Sequence, residues 1–232
     1  MSELLDRFSA IKHLPLFPLP LVLLPNELLP LYIFEPRYRQ MLKDLDADQK
    51  YFGITLFEPD KAGLDKPLTG TTGCIAEVRE SNILPDGASN ILTMGIIRYR
   101  LIDYVDTGDP YLVGDVEFFE DHQENEDELS ELADNVHELF KRVAQAAFQL
   151  SGSRGRLPEI PRSNPQDLSF LIATAFNLDN ELKYQMIETD STSERLNRLN
   201  EILVHTVDKM EDSANIQKVA QTNGHGQKKI DL

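Results

Sequence analysis

Five histidines, one cysteine, a serine behind an Asp-Gly turn, two arginine–tyrosine clusters and one dense acidic run are the residues of this 232-residue chain with the right types for chemistry. His13, His122, His137, His205 and His225 stand apart from one another in sequence. His137-Glu138 has no second histidine one turn on, so the helical zinc-hydrolase pair is missing. Cys74 lies between Gly73 and Ile75 in an apolar run, without the base or cationic setting that an activated thiolate needs. It reads as a small buried residue. Asp86-Gly87-Ala88-Ser89 is a hairpin turn signal, and Ser89 has no activating base at a fixed spacing. The Gly70 and Gly73 pair lacks the lysine of a phosphate-binding loop. These residues predict no catalytic site, no cofactor and no metal.

Two clusters remain. Arg37-Tyr38-Arg39 and Arg98-Tyr99-Arg100 have the composition to hold an anion or a base, although ion pairs with the chain's many carboxylates are the favoured reading. Between Asp115 and Asp134 there are ten acidic residues and no Lys or Arg. Their irregular spacing does not fit a calcium loop, and carboxylates at a helix start are favoured by the helix dipole. The run reads as a boundary that leads into a helix.

The whole chain carries a net charge of −16, which repels phosphate backbones and argues against a nucleic-acid partner. With 41% hydrophobic residues it is too apolar to be disordered. One cysteine makes no internal disulfide, which points to a reducing, cytoplasmic setting. The stretch 14–34 is apolar enough to suggest a membrane helix, but Pro15, Pro18, Pro20, Pro25 and Pro30 exclude one. Met1 to His13 mixes Glu3 and Asp6 with Arg7 and Lys12, unlike a secretory leader. No membrane association is expected.

The elements that must position these residues divide at the acidic run. Residues 13–121 read as mostly strands: an extended, proline-broken 14–24, then 51–57, 72–80, 91–104 and 111–119, with a turn at Pro85-Asp86-Gly87. A short helix opens at Glu35-Pro36, with Tyr38, Met41, Leu42 and Leu45 on one face. A polar loop runs through Asp60, Gly63 and Asp65. Residues 122–212 read as helical. A helix of roughly 25 residues carries Leu129, Leu132, Val136, Leu139, Phe140, Val143, Ala147 and Leu150. After a loop at 152–161, helices follow from Asn164-Pro165, from Leu178-Asp179 and from Ser191, where Glu194 completes a capping box. Residues 1–12 read as an extension and 213–232 as a disordered tail. The fold class is α+β.

The block from Leu14-Pro15-Leu16-Phe17-Pro18 through Leu29-Pro30-Leu31-Tyr32-Ile33-Phe34-Glu35-Pro36-Arg37-Tyr38 resembles the start of the N-terminal, substrate-binding domain of Lon proteases. The likeness is strongest to bacterial proteins made of that domain alone. Gly73-Cys74-Ile75-Ala76-Glu77 resembles the family's next strand, and Gly95 with Arg98-Tyr99-Arg100 its Gly-x-x-Arg-Phe-Arg pattern, with Tyr99 for the usual Phe. Tyr111 to Asp121, Leu168 to Ala175 and Arg195 to Leu203 extend the resemblance over about residues 13–210. It implies a PUA-like β-barrel followed by a helical subdomain, and no catalytic residue in this part of the family. The ATPase and Ser-Lys dyad of full Lon lie in later domains, for which 232 residues leave no room. The expectation is therefore a non-enzymatic module that binds unfolded or apolar protein segments, or a partner protein. Phe34, Arg37, Tyr38 and Arg98 are expected at the rim of its surface patch. The alternative is an adaptor or accessory subunit of a separate ATP-dependent protease or AAA+ machine. RNA binding through the barrel comes third, weakened by the acidity.

Overall fold

The computed structural model describes residues 3–45, 50–58, 63–152, 160, 162–176 and 178–223, with 214–223 described by backbone alone. Asp60, most of the loop expected at 152–161, and 224–232 lie outside the described residues. Two compact units emerge: Met1–Gln123 with Ala173–Ser191, and Glu124–Ile172 with Thr192–Leu232. Residues 173–191 thus join the β-rich unit, where the sequence reading had placed them with the other helices.

The first unit begins with a six-residue helix, α1 (Glu3–Phe8), where only an extension was expected. Six strands follow among the described residues: β1 (His13–Leu19), β2 (Leu28–Ile33), β3 (Tyr51–Leu56), β4 (Thr72–Ile83), β5 (Ser89–Tyr104) and β6 (Leu112–Phe119). Helix α2 (Pro36–Asp44) lies between β2 and β3, with Pro36 in its first turn. β1 pairs in parallel with β3, and β3–β4, β4–β5, β5–β6 and β6–β1 pair antiparallel. That sequence of pairings closes a five-stranded barrel. β2 is added outside it, antiparallel to the first half of β5.

The prolines fit this topology. β1 pairs with β6 through residues 13–16 and with β3 through 16–19, so Pro15 and Pro18 each face a ladder on one side only. Pro30 sits on β2 at the end of the sheet order, where its missing donor leaves no ladder bond broken. The barrel interior is filled by Leu14, Leu16, Ile75, Ile97, Tyr99, Leu101 and Val116, closed by Phe8 and Tyr51. Phe8 is fully buried, with its ring edge on Tyr51 at 5.1 Å. At Gly95 a Cβ would stand 2.1 Å from the carbonyl oxygen of Leu24, so only glycine lets the β2 connection lie against β5. Gly87 turns the β4–β5 hairpin at φ 81°, as its Asp-Gly sequence predicts.

Residues 173–191 are fastened to this unit by polar contacts. Helix α4 (Pro165–Ala175) ends within it, and α5 (Asn180–Glu188) follows. Asp179 caps α5 by accepting from the Leu182 amide at 2.9 Å. Lys183 Nζ meets Glu27 at 2.7 Å, the Thr72 amide donates to the Tyr184 hydroxyl, and Asn180 donates to the carbonyl of Pro20.

The second unit is helical. The acidic run feeds α3 (Glu126–Leu150), capped by Asn125, which accepts from the amides of Asp127 and Glu128. Its first turn holds Glu126, Asp127 and Glu128, as the dipole favours. The buried stripe is Ala133, Val136, Val143 and Ala146, while Ala147 is exposed. Helix α6 (Thr192–Asn223) supplies Leu196, Leu199, Leu203 and Val207 to the core. Arg195 is fully buried here, over the Phe170 ring at 4.3 Å and donating to Ser169 Oγ at 3.0 Å. α6 continues to Asn223, ten residues past the expected start of a disordered tail at 213. Residues 214–223 include Ala, Gln and Lys, good helix formers, and extending an existing helix needs no new nucleus.

Candidate functional site

β2 gives the site its character. Its burial alternates with period two: Leu29, Leu31 and Ile33 turn inward, while Leu28, Pro30 and Tyr32 are exposed. Phe34 continues the outer row one step beyond the strand. Leu28, Tyr32 and Phe34 are 58%, 52% and 60% exposed, so three large apolar side chains stand in one row on the surface. The rings of Tyr32 and Phe34 stack with centroids 5.7 Å apart.

Tyr32 and Phe34, at one end of this row, line a cleft of about 590 Å³ within the first unit. Phe17, Pro18 and Leu19 of β1 form part of its lining, with Tyr38 of α2, and Phe57, Leu64 and Leu112 supply further apolar walls. Tyr38 is buried, its ring 4.1 Å from that of Phe17, and desolvation raises its hydroxyl pKa. Glu35, Arg37 and Asp65 are the charged lining residues. Arg37 pairs with Glu35 at 2.9 Å and lies over the Tyr38 ring at 4.5 Å, so its charge is already engaged. Asp65 is exposed and forms no ion pair with any described residue. The arrangement suits an apolar or aromatic guest, and the described lining residues include no nucleophile–base pair.

Three of the four expected rim residues meet here: Phe34 and Arg37 at the mouth, Tyr38 in the lining. Arg98 does not. It is 2% exposed, and its guanidinium donates to Asp121 at 2.5 Å and to the carbonyls of Thr189 and Ile187 at 2.6 and 3.2 Å. The Phe119 ring lies beneath it at 4.5 Å. Arg98 is thus a buried clasp joining β5, the end of β6 and the chain after α5, and the expectation of a surface role is corrected. A charged group inside the protein needs such a full set of partners, which is why it turns inward here. Its neighbour Tyr99 is equally structural, with its hydroxyl 2.5 Å from Thr55 Oγ1.

Sequence reasoning missed Tyr32, Leu64 and Asp65. The outward alternation of Leu28, Pro30, Tyr32 and Phe34 was the available signal for the first; the other two come from a loop with no periodicity. Cys74 is fully buried, and desolvation pushes its thiol up to about 12. A second cleft of about 310 Å³ in the helical unit is lined by Glu138, Lys141, Arg142 and Glu211. Its central pair, Arg142 with Glu211, is already matched at 2.9 Å, and it lacks an apolar floor. No helix among the described residues is long and apolar enough to cross a membrane.

Residues 13–205 match the family described as the ATP-dependent protease La (LON) substrate-binding domain. The chain is 25% identical over 223 residues to Lon protease 2 of Herpetosiphon aurantiacus, covering 94% of this chain and 27% of that protein. It spans about a quarter of the length of such curated relatives. Among solved structures it is similar to the Lon N-terminal domain protein from Xanthomonas campestris, with TM-score 0.58, 23% identity and coverage of 82% of this chain and 97% of that one. The N-terminal domain of Mycobacterium avium complex Lon protease gives TM-score 0.58 at 18% identity, covering 83% and 98%. At these identities the likeness bears on the fold, which is α+β.

Proposed function

The chain belongs to the ATP-dependent protease La (LON) substrate-binding domain family, and from that premise we propose that it is a non-catalytic recognition module whose cleft takes apolar segments of other, unfolded proteins. The observation that carries this reading is the exposed Tyr32–Phe34 stack at the mouth of an apolar cleft. Covering the exposed half of each ring buries on the order of 100 Å² apiece, about 5 kcal/mol together at about 25 cal/mol per Å². A client face of matching size contributes about as much again. Association costs at least about 4 kcal/mol, so the net affinity is micromolar or weaker. That suits a module that samples and releases segments. The buried Cys74 thiol fits a reducing, cytoplasmic setting.

The test is fluorescence anisotropy with a labelled peptide that carries two aromatic residues. Tyr32→Ser with Phe34→Ser should weaken binding at least tenfold while the thermal unfolding midpoint stays put, because both side chains are already exposed. Unchanged affinity in that variant would sink the reading.

A second reading, an adaptor for a separate ATP-dependent protease, is favoured by one observation: relatives named Lon protease carry the matching region as about a quarter of their length. Co-purification of an ATPase from lysate that survives the Tyr32→Ser/Phe34→Ser change would support this alternative over client binding.

A further inference from the structure

The acidity of the chain is not spread evenly. Residues 1–123 and 173–191 hold twelve Lys and Arg against twenty-four Asp and Glu, a net charge of −12 out of the −16 of the whole chain. That is the unit that carries the cleft. Among the described residues that line the cleft, the one cation, Arg37, is paired with Glu35, and Asp65 is a carboxylate without an ion-pair partner. An apolar guest therefore enters a negatively charged unit, past a rim carboxylate that no described residue pairs.

We infer that the cleft selects apolar segments flanked by lysine or arginine, and disfavours otherwise identical segments flanked by aspartate or glutamate. The inference rests on the proposed function and names its substrate class. The apolar contacts supply most of the binding and treat basic and acidic flanks alike. The charges divide the guests. Basic flanks are drawn towards Asp65 and the surrounding carboxylates, whereas acidic flanks meet like charge. An exposed pair of this kind is worth roughly a twofold to fivefold change in affinity, and the wider field adds to the rate of encounter.

The test uses three labelled peptides that share one apolar, two-aromatic centre, with Lys, Ser or Asp flanks. Each is titrated at 0.01 M and 1 M salt, where the screening length is about 30 and 3 Å. At low salt the Lys-flanked peptide should bind about threefold to tenfold more tightly than the Ser-flanked one, and the Asp-flanked one most weakly. At high salt the three should converge. Asp65→Asn should reduce the preference for the Lys-flanked over the Ser-flanked peptide about threefold, and an undiminished preference in that variant would overturn the role given to Asp65. Equal binding of all three at low salt overturns the charge selection and leaves the client-binding reading standing. Failure of even the Ser-flanked peptide to bind overturns both. Sedimentation that shows a dimer lost on Phe34→Ser overturns the inference in favour of a second copy as occupant.

Discussion

Arg98 and Asp121 make a buried ion pair, with exposures of 2% and 5%, on which three segments of the first unit converge. Removing one partner strands the other's charge inside the protein. Asp121→Asn or Arg98→Ala should therefore cost about 3–5 kcal/mol, read as a lower urea midpoint. A loss under about 1 kcal/mol would show that water reaches the pair. Cys74 gives a pH-dependent prediction. Folding raises its pKa from about 9 to about 12, so the neutral thiol is the folded form. Its contribution is whole below pH 9 and is lost as pH rises from 9 towards 12, at about 1.4 kcal/mol per pH unit. Burial also raises the Tyr99 hydroxyl, which acts in the same direction from about pH 10. The unfolding midpoint should fall between pH 9 and 10, and Cys74→Ala should flatten that fall. The residue pattern Gly95, Arg98, Tyr99 was legible in the sequence, but the role of Arg98 was not. An arginine on a strand reads as exposed until the opposing carboxylate and carbonyls, 23 to 91 positions away, are known to surround it.

Five of the six described strands and the helices after α1 followed from periodicity; β2 (Leu28–Ile33) did not, because the prolines of its stretch read only as extended chain broken by turns. α1 escaped notice because six residues are too few to display a helical period, and its Phe8 is buried only through the distant β-strands that receive it. The stripe on α3 passes through Ala133 and Ala146, so small residues and not the leucines set its closest face. Ala146→Leu should overfill that face and cost about 1–3 kcal/mol, measurable by thermal unfolding. No change would mean that the helix turns the residue outward. At β2 the reverse experiment applies. Leu28 is half-exposed on the outer row, so Leu28→Ser should change stability by less than about 0.5 kcal/mol.

For the molecule as a whole, the first unit joins a closed barrel, an added edge strand and a short helix, and between them these place aromatic side chains around an apolar cleft. It also holds most of the negative charge. The cleft was only partly foreseen, since Leu64 and Asp65 reach it from a loop that no pattern ties to β2. The most direct measurement is photo-crosslinking with a bound apolar peptide whose aromatic residue is replaced by a benzophenone amino acid, followed by mass spectrometry of the labelled positions. The account predicts labels concentrated on residues 31–38 and 64–65, and their loss in the Tyr32→Ser/Phe34→Ser variant. Labels confined to helices α3 and α6, or unchanged in that variant, would contradict it.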